Sequence, residues 1–190
     1  MKKQVRAIAF DDGRFTFRKG RVPLVGVITR LPSYLEGAIV TDCEIDGTDS
    51  SAQVVSAVLR SRLREQIRII LLDGIASGGF NIYDLDRIHS ETGIPVLSVT
   101  RREPDIVEME SALRKHFADW EDRIAMISRY RPVPARGMAF SLFAARSGLS
   151  DRDALDMLSL SIVRGNFPEP LRMAHIFAGA VSSGESGGKA

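Results

Sequence analysis

The sequence predicts an α/β fold, a mixed sheet of five strands flanked by helices. Three observations carry this. Apolar runs at 4–11, 22–30 and 36–45 follow one another through short connections, which favours antiparallel neighbours. Beyond residue 46 the apolar period becomes helical, and helical and extended segments then alternate. The segment "IRIILLD" (67–73) is an almost unbroken apolar run, as in a strand covered on both faces.

The elements follow in order. "QVRAIAFD" (4–11) is joined through "DGRFTFRKG" to "VPLVGVITR" (22–30), and β-branched and small residues make "EGAIVTDCEI" (36–45) the third strand. In "DGTDSSAQVVSAVLRSRLR", Thr48 or Asp49 can cap a helix whose apolar face is Val54, Val55, Val58 and Leu59. Strand four, 67–73, leads through "GIASGG" to a helix at 81–91, and "TGIPVLSVTR" (92–101) is strand five. This alternation requires right-handed crossovers and parallel strands. "REPDIVEMESALRKHF" is an amphipathic helix with a proline in its first turn. Between 120 and 146, "RIAMISRY" and "MAFSLFAAR" fit two further strands. Ser150 and Gly165 bracket the next helix, and Pro168 opens the last. Strands one and four are expected side by side at the centre of one domain, residues 1–181, followed by a flexible tail at 182–190.

Composition narrows the function. With 44% hydrophobic and 26% charged residues, the chain has the make-up of a globular protein. A net charge of +2 is too small to demand a polyanionic partner. Only five of the 26 basic residues are lysine; arginine forks suit phosphates, although an arginine-rich proteome produces the same bias. Cys43 is the only cysteine, which excludes an internal disulfide and a thiolate cluster. No apolar run approaches a membrane span and no signal-peptide pattern opens the chain, so no membrane partner is expected and the cytoplasm is the expected location. His89, His116 and His175 are scattered, so a histidine cage is not expected; the first two are expected at the surface, and His175 either near the acidic edge or buried in the contact of the last helix, with a structural role preferred.

The chemistry lies in the acids at strand ends. Asp11 and Asp73 end two strands expected to be parallel neighbours, at the carboxyl edge where open sheets bind ligands. Two close carboxylates repel, and a cation between them relieves the repulsion. Hard oxygen donors select Mg²⁺ or Mn²⁺ and suit phosphate chemistry. Asp49 is the expected third acid, with Asp46 at the preceding strand end, and Asp12 is the fallback for Asp11. Each has a structural reading as well: Asp49 as a helix cap, Asp12 in a turn with Gly13, and Asp73 accepting backbone bonds in its own turn. "GIASGG" is neither a P-loop nor a dinucleotide fingerprint, yet its glycines, Gly74, Gly78 and Gly79, could offer amides to an anion.

These blocks ("FDDG", "DGTDSSAQVV", "LLDGIASGGFNIYDLDRIHSETGIPVLSVTR" and "PEPLRMAHIFAGAVSSGES") resemble the archaeal endonuclease dU family across essentially the whole chain. That family is similar to endonuclease V, which has a ribonuclease H-like fold and nicks DNA at deaminated bases using Mg²⁺. The resemblance implies a metal-dependent endonuclease acting on DNA containing deoxyuridine or deoxyinosine. Asp11, Asp49 and Asp73 would hold the catalytic metal, and Arg101, Arg102 and Arg172 would contact phosphate; Arg172 has an equal structural reading as a clamp to Glu169 or a sheet carboxylate. It also leaves room for an RNA-directed nuclease or a non-catalytic nucleic-acid-binding module. Asp49 stands where endonuclease V has a glutamate, and that enzyme's catalytic-site histidine falls near Arg146 or Ser147. Its aromatic-proline wedge is absent from "DCEIDGT", and "SGGFN" replaces its His-Pro-Arg.

Overall fold

The computed structural model describes residues 5–16, 19–130, 132–135 and 142–186. Its strands are β1 (Arg6–Asp12), β2 (Arg21–Arg30), β3 (Tyr34–Glu44), β4 (Ile67–Asp73), β5 (Ala76–Ser77), β6 (Asn81–Ile82), β7 (Val96–Thr100), β8 (Val133–Pro134) and β9 (Phe143–Ser147). Its helices are α1 (Ser50–Arg60), α2 (Leu85–Thr92), α3 (Ile106–His116), α4 (Trp120–Arg129), α5 (Asp151–Ser161) and α6 (Glu169–Ser183).

The main sheet has the order β3-β2-β1-β4-β7-β9-β8, and β5-β6 form a separate hairpin. The five expected strands are present with β1 beside β4, and both pairings of β4 are parallel. The expected count is corrected by β9, which adds a sixth strand antiparallel to β7, and by the two-residue β8 at the edge. Glu36 of β3 receives Arg6 of β1 and Arg30 of β2, which ties the three meandering strands together across one end.

Alternation along the central strands creates two cores. Ile8, Phe10, Ile70 and Leu72 face α1 and α2, whereas Ala7, Ala9, Ile69 and Leu71 face α5 and α6. The small residues of β1 let α6 lie close, with Leu171, Ala174 and Ala178 fully buried. Ala174 and Ala178 follow Leu171 at spacings of three and seven, which keeps them on one helical stripe. The expected face of α1 also shifts: Ala57 is buried and Leu59 is 41% exposed.

Residues 123–130 do not form a strand. They lie in and just after α4, whose Ile124 and Ile127 pack at helical spacing beside Leu113 and Phe117. Helix α2 starts at Leu85 rather than 81, because Asn81 and Ile82 pair with Ala76 and Ser77, and Asp84 caps it by accepting from Arg87 N at 3.0 Å. Helix α5 is capped by Ser150 as expected but ends at Ser161, short of Gly165. Helix α6 continues through Ser183, two residues into the segment expected as a tail.

Candidate metal centre and active site

The parallel register pairs Ala9 with Leu71 and Phe10 with Leu72. One step further places Asp11 beside Asp73, and alternation puts both on the face covered by α6. Asp11 is 8% exposed. Its pKa is raised to about 7, by burial first and then by the charge of Asp12, against the opposing Asp12 amide and Arg101. Asp73 is likewise pushed up to about 7, by burial and then by the charge of Asp11, with Arg101 and His175 pulling the other way. Each acid resists ionisation chiefly because it has lost water, and its neighbour adds to the penalty.

His175 meets this pair from α6. Its Nδ1 lies 2.8 Å from Asp11 Oδ2, while the side chain remains 49% exposed. Of its two expected placements, the acidic edge is the one observed, not burial in the helix contact. The buried stripe of α6 passes through Ala174 and Ala178 and leaves His175 at the acidic edge. Arg101, at the end of β7, acts on both carboxylates electrostatically. Its guanidinium carbon lies over the Phe167 ring at stacking distance, 3.5 Å from the centroid.

Asp12 points to the opposite face and accepts from Gly78 N at 3.1 Å; burial raises its pKa too. The glycine turn after Asp73 binds the protein's own groups. Gly74 N donates to Val99 O and Gly78 N to Asp12, so these two amides are spent, which corrects the expected anion-binding role of Gly74 and Gly78. Asp46 adopts a left-handed φ of 57°, donates its amide to Gly78 O at 2.7 Å and accepts from Phe80 N at 2.9 Å. Gly79 has φ +88° and presses so closely on Asp46 Oδ1 that a Cβ would overlap it. Gly79→Ala is therefore expected to cost about 2 kcal/mol or more, combining left-handed strain with a clash. A denaturant midpoint unchanged from the parent would refute this.

Asp49 stands apart from the pair. Its carboxylate accepts from Glu44 N at 2.9 Å, Asn81 Nδ2 at 2.8 Å and Arg21 at 3.0 Å. Burial pushes its pKa up, but these three donors together hold it below the usual value. It is not among the charges acting on Asp11 or Asp73. Nor does it cap α1 with its side chain. Among the described residues no three His, Cys, Asp or Glu side chains are gathered to hold a metal by themselves. Asp49 pins the end of β3 to Asn81 of the hairpin.

The other candidates separate clearly. Arg172 makes a two-pronged bond to the buried Glu169, at 2.8 and 2.5 Å, which is the clamp reading rather than a free phosphate contact. Arg102 is exposed, with its carbonyl accepting from Thr100 Oγ1 at 2.9 Å. His116 is exposed, but His89 is half-buried with Nδ1 3.0 Å from Ile94 O. Cys43 lies 3.3 Å from Ser77 Oγ, its thiol pushed up to about 11 by burial and so no thiolate ligand. Arg123, which sequence reasoning missed, bonds Phe80 O at 2.6 Å and Gly47 O at 3.1 Å, fastening the glycine turn to the loop before α1. Its only sequence signal is Asp119, four residues earlier on the same helix.

The mixed β3-β2-β1-β4-β7 sheet, with acids at its carboxyl edge, has a ribonuclease H-like architecture of the endonuclease V type, the fold of solved structures. Human ENDOV is 13% identical and superposes with a TM-score of 0.56, over 90% of this chain and 81% of its own. Endonuclease V from Ciona intestinalis, in complex with DNA containing an inosine followed by a ribo-adenosine, gives 0.57 at 13% identity, over 90% and 82%. The family is closer still: the Endonuclease dU family model matches residues 3–182, and the chain belongs to that family of nucleases. A UPF0215 protein from Thermococcus gammatolerans is 40% identical over 98% of this chain and 96% of its own length. A crystal structure of a protein from Archaeoglobus fulgidus is 37% identical with a TM-score of 0.84, over 93% and 98%.

Proposed function

We propose that this nuclease is a metal-dependent endonuclease that hydrolyses a phosphodiester bond in DNA containing a deaminated base, deoxyuridine or deoxyinosine. The observation that carries the metal is the Asp11–Asp73 pair, two neighbouring carboxylates, one buried and one half-buried, with pKa values raised to about 7. The donor set fits Mg²⁺ or Mn²⁺: it is all oxygen, and two protein carboxylates leave positions for water and phosphate, as Mg²⁺ prefers. A divalent cation held there supplies polarisation of the phosphodiester and stabilises charge developing on its oxygens.

The protein's own groups provide the rest. Once Asp11 is ionised, His175 Nδ1–H donates to Asp11 Oδ2, which fixes the tautomer and leaves Nε2 as the proton acceptor. The imidazole can then take a proton from attacking water or return one to the leaving oxygen. Asp49 acts at a distance by holding β3 to Asn81. Beside Asp73, an open groove of about 600 Å³ lined by Gly74, Ile75, Arg101, Pro104 and Met109 gives space for nucleic acid. The deaminated-base specificity rests on family membership and on the inosine-containing DNA held by the Ciona relative.

The test is incubation with labelled duplexes containing uracil, hypoxanthine or neither, and with matched RNA, in Mg²⁺ and in EDTA. Cleavage confined to the lesion duplexes with Mg²⁺ is expected. Equal cutting of undamaged DNA would remove the lesion specificity, cutting of RNA alone would redirect the substrate, and cutting in EDTA would remove the metal.

A further inference from the structure

Phe167 lies in the loop before α6 and is 6% exposed. Its ring carries the Arg101 guanidinium at 3.5 Å. Among the described residues this guanidinium makes no hydrogen bond or ion pair, although Asp11 and Asp73 are near enough to feel its charge. An exposed arginine beside two acids would ordinarily swing onto one of them and form a bidentate pair. Stacking uses the face of the guanidinium and leaves its in-plane N–H groups unspent. The ring therefore keeps the charge beside the acids without letting it occupy them.

We propose that Phe167 is a positioning residue that presents the Arg101 N–H edge to a non-bridging phosphate oxygen of the substrate strand at the Asp11–Asp73 pair. This rests on the nuclease reading above and assigns the group that fixes the phosphate beside the acids. Arginine rather than lysine is required, because only a planar cation can lie on a ring and still offer paired donors. The stack also explains why "RGNFPEP" leads into α6 as it does: the loop delivers the ring under Arg101 while the helix behind it delivers His175 to Asp11.

The experiment compares the parent with Phe167→Leu, Phe167→Tyr, Arg101→Ala and the Phe167→Leu/Arg101→Ala double variant. Cleavage of the uracil and hypoxanthine duplexes is read in Mg²⁺, and binding of the same duplexes is read by anisotropy in EDTA across a salt series. Phe167→Leu is expected to lower kcat/KM about tenfold, Phe167→Tyr to restore it, and the double variant to be no worse than Arg101→Ala alone. The slope of log affinity against log salt should fall by about one phosphate contact in both Arg101→Ala and Phe167→Leu. A Phe167→Leu protein with the parent's slope and rate, or additive losses in the double variant, would overturn the proposal. If the parent binds but does not cleave, the nuclease reading fails while the salt slopes still decide the role of Phe167.

Discussion

Asp73→Asn is expected to melt at a higher temperature than the parent in metal-free buffer at pH 8, yet to lose cleavage and Mg²⁺-dependent stabilisation. The carboxylates of Asp11 and Asp73 have folded-state pKa values raised from 3.8 to about 7. Stability from such groups is complete below pH 3.8 and is lost as pH rises through 7. At pH 8 the metal-free parent holds two buried charges against each other, and an amide at position 73 removes one, a relief of roughly 1–3 kcal/mol. The metal-free parent should accordingly melt higher at pH 5 than at pH 8, and the variant should show a smaller difference. The acids held low by their partners, Glu36, Asp49, Asp86 and Asp119, act in the opposite sense only at lower pH, so among the carboxylates the raised ones, Asp11 and Asp73 with Asp12 beside them, set the change between pH 5 and 8. Mg²⁺ stabilisation of the parent should grow as pH rises through 7, because protons compete for the same oxygens. Thermal melts with and without Mg²⁺ at the two pH values are the measurement. A destabilised Asp73→Asn that still responds to Mg²⁺ would defeat the metal-site assignment.

Asp49→Ala should give the reverse pattern. Removing its carboxylate strands the Glu44 amide and Asn81 Nδ2 and frees Arg21. Lost hydrogen bonds to a charged acceptor at a partly buried position cost about 2–3 kcal/mol. We expect Asp49→Ala to melt several degrees lower in metal-free buffer while keeping its Mg²⁺ response. An unchanged melt with the Mg²⁺ response abolished would return Asp49 to the role of direct ligand. The two variants thus separate an acid held under repulsion from one held by donors.

Much of this was legible in the sequence, for identifiable reasons. The order of the central strands follows from a meander succeeded by crossovers, and Asp11 and Asp73 lie at the carboxyl ends of β1 and β4. Helix α4 was misread because Ile124, Met126 and Ile127 fit a two-residue period about as well as a helical one over so short a run. Asp49 was legible as an acid but not in its role, because its partners Arg21 and Asn81 lie 28 and 32 positions away. For His175 two placements stayed open for a related reason. Its neighbours on α6 are apolar, and only the way Leu171, Ala174 and Ala178 seat the helix shows that the imidazole overhangs Asp11.

That seating sets an order of assembly. Once β1 and β4 have paired, a growing chain owns both acids, yet Phe167 and His175 come from the stretch leading into and forming α6, behind every other element of the sheet. A ribosome must therefore deliver more than 150 residues after Asp11 before imidazole and carboxylate can meet, given the sequence separation of 164 between them. Until then the acid edge is an unarmed blade. On the proposed mechanism the docking of α6 arms it, and loosening that helix would both part His175 from Asp11 and uncover the sheet face of Ala7, Ala9, Ile69 and Leu71.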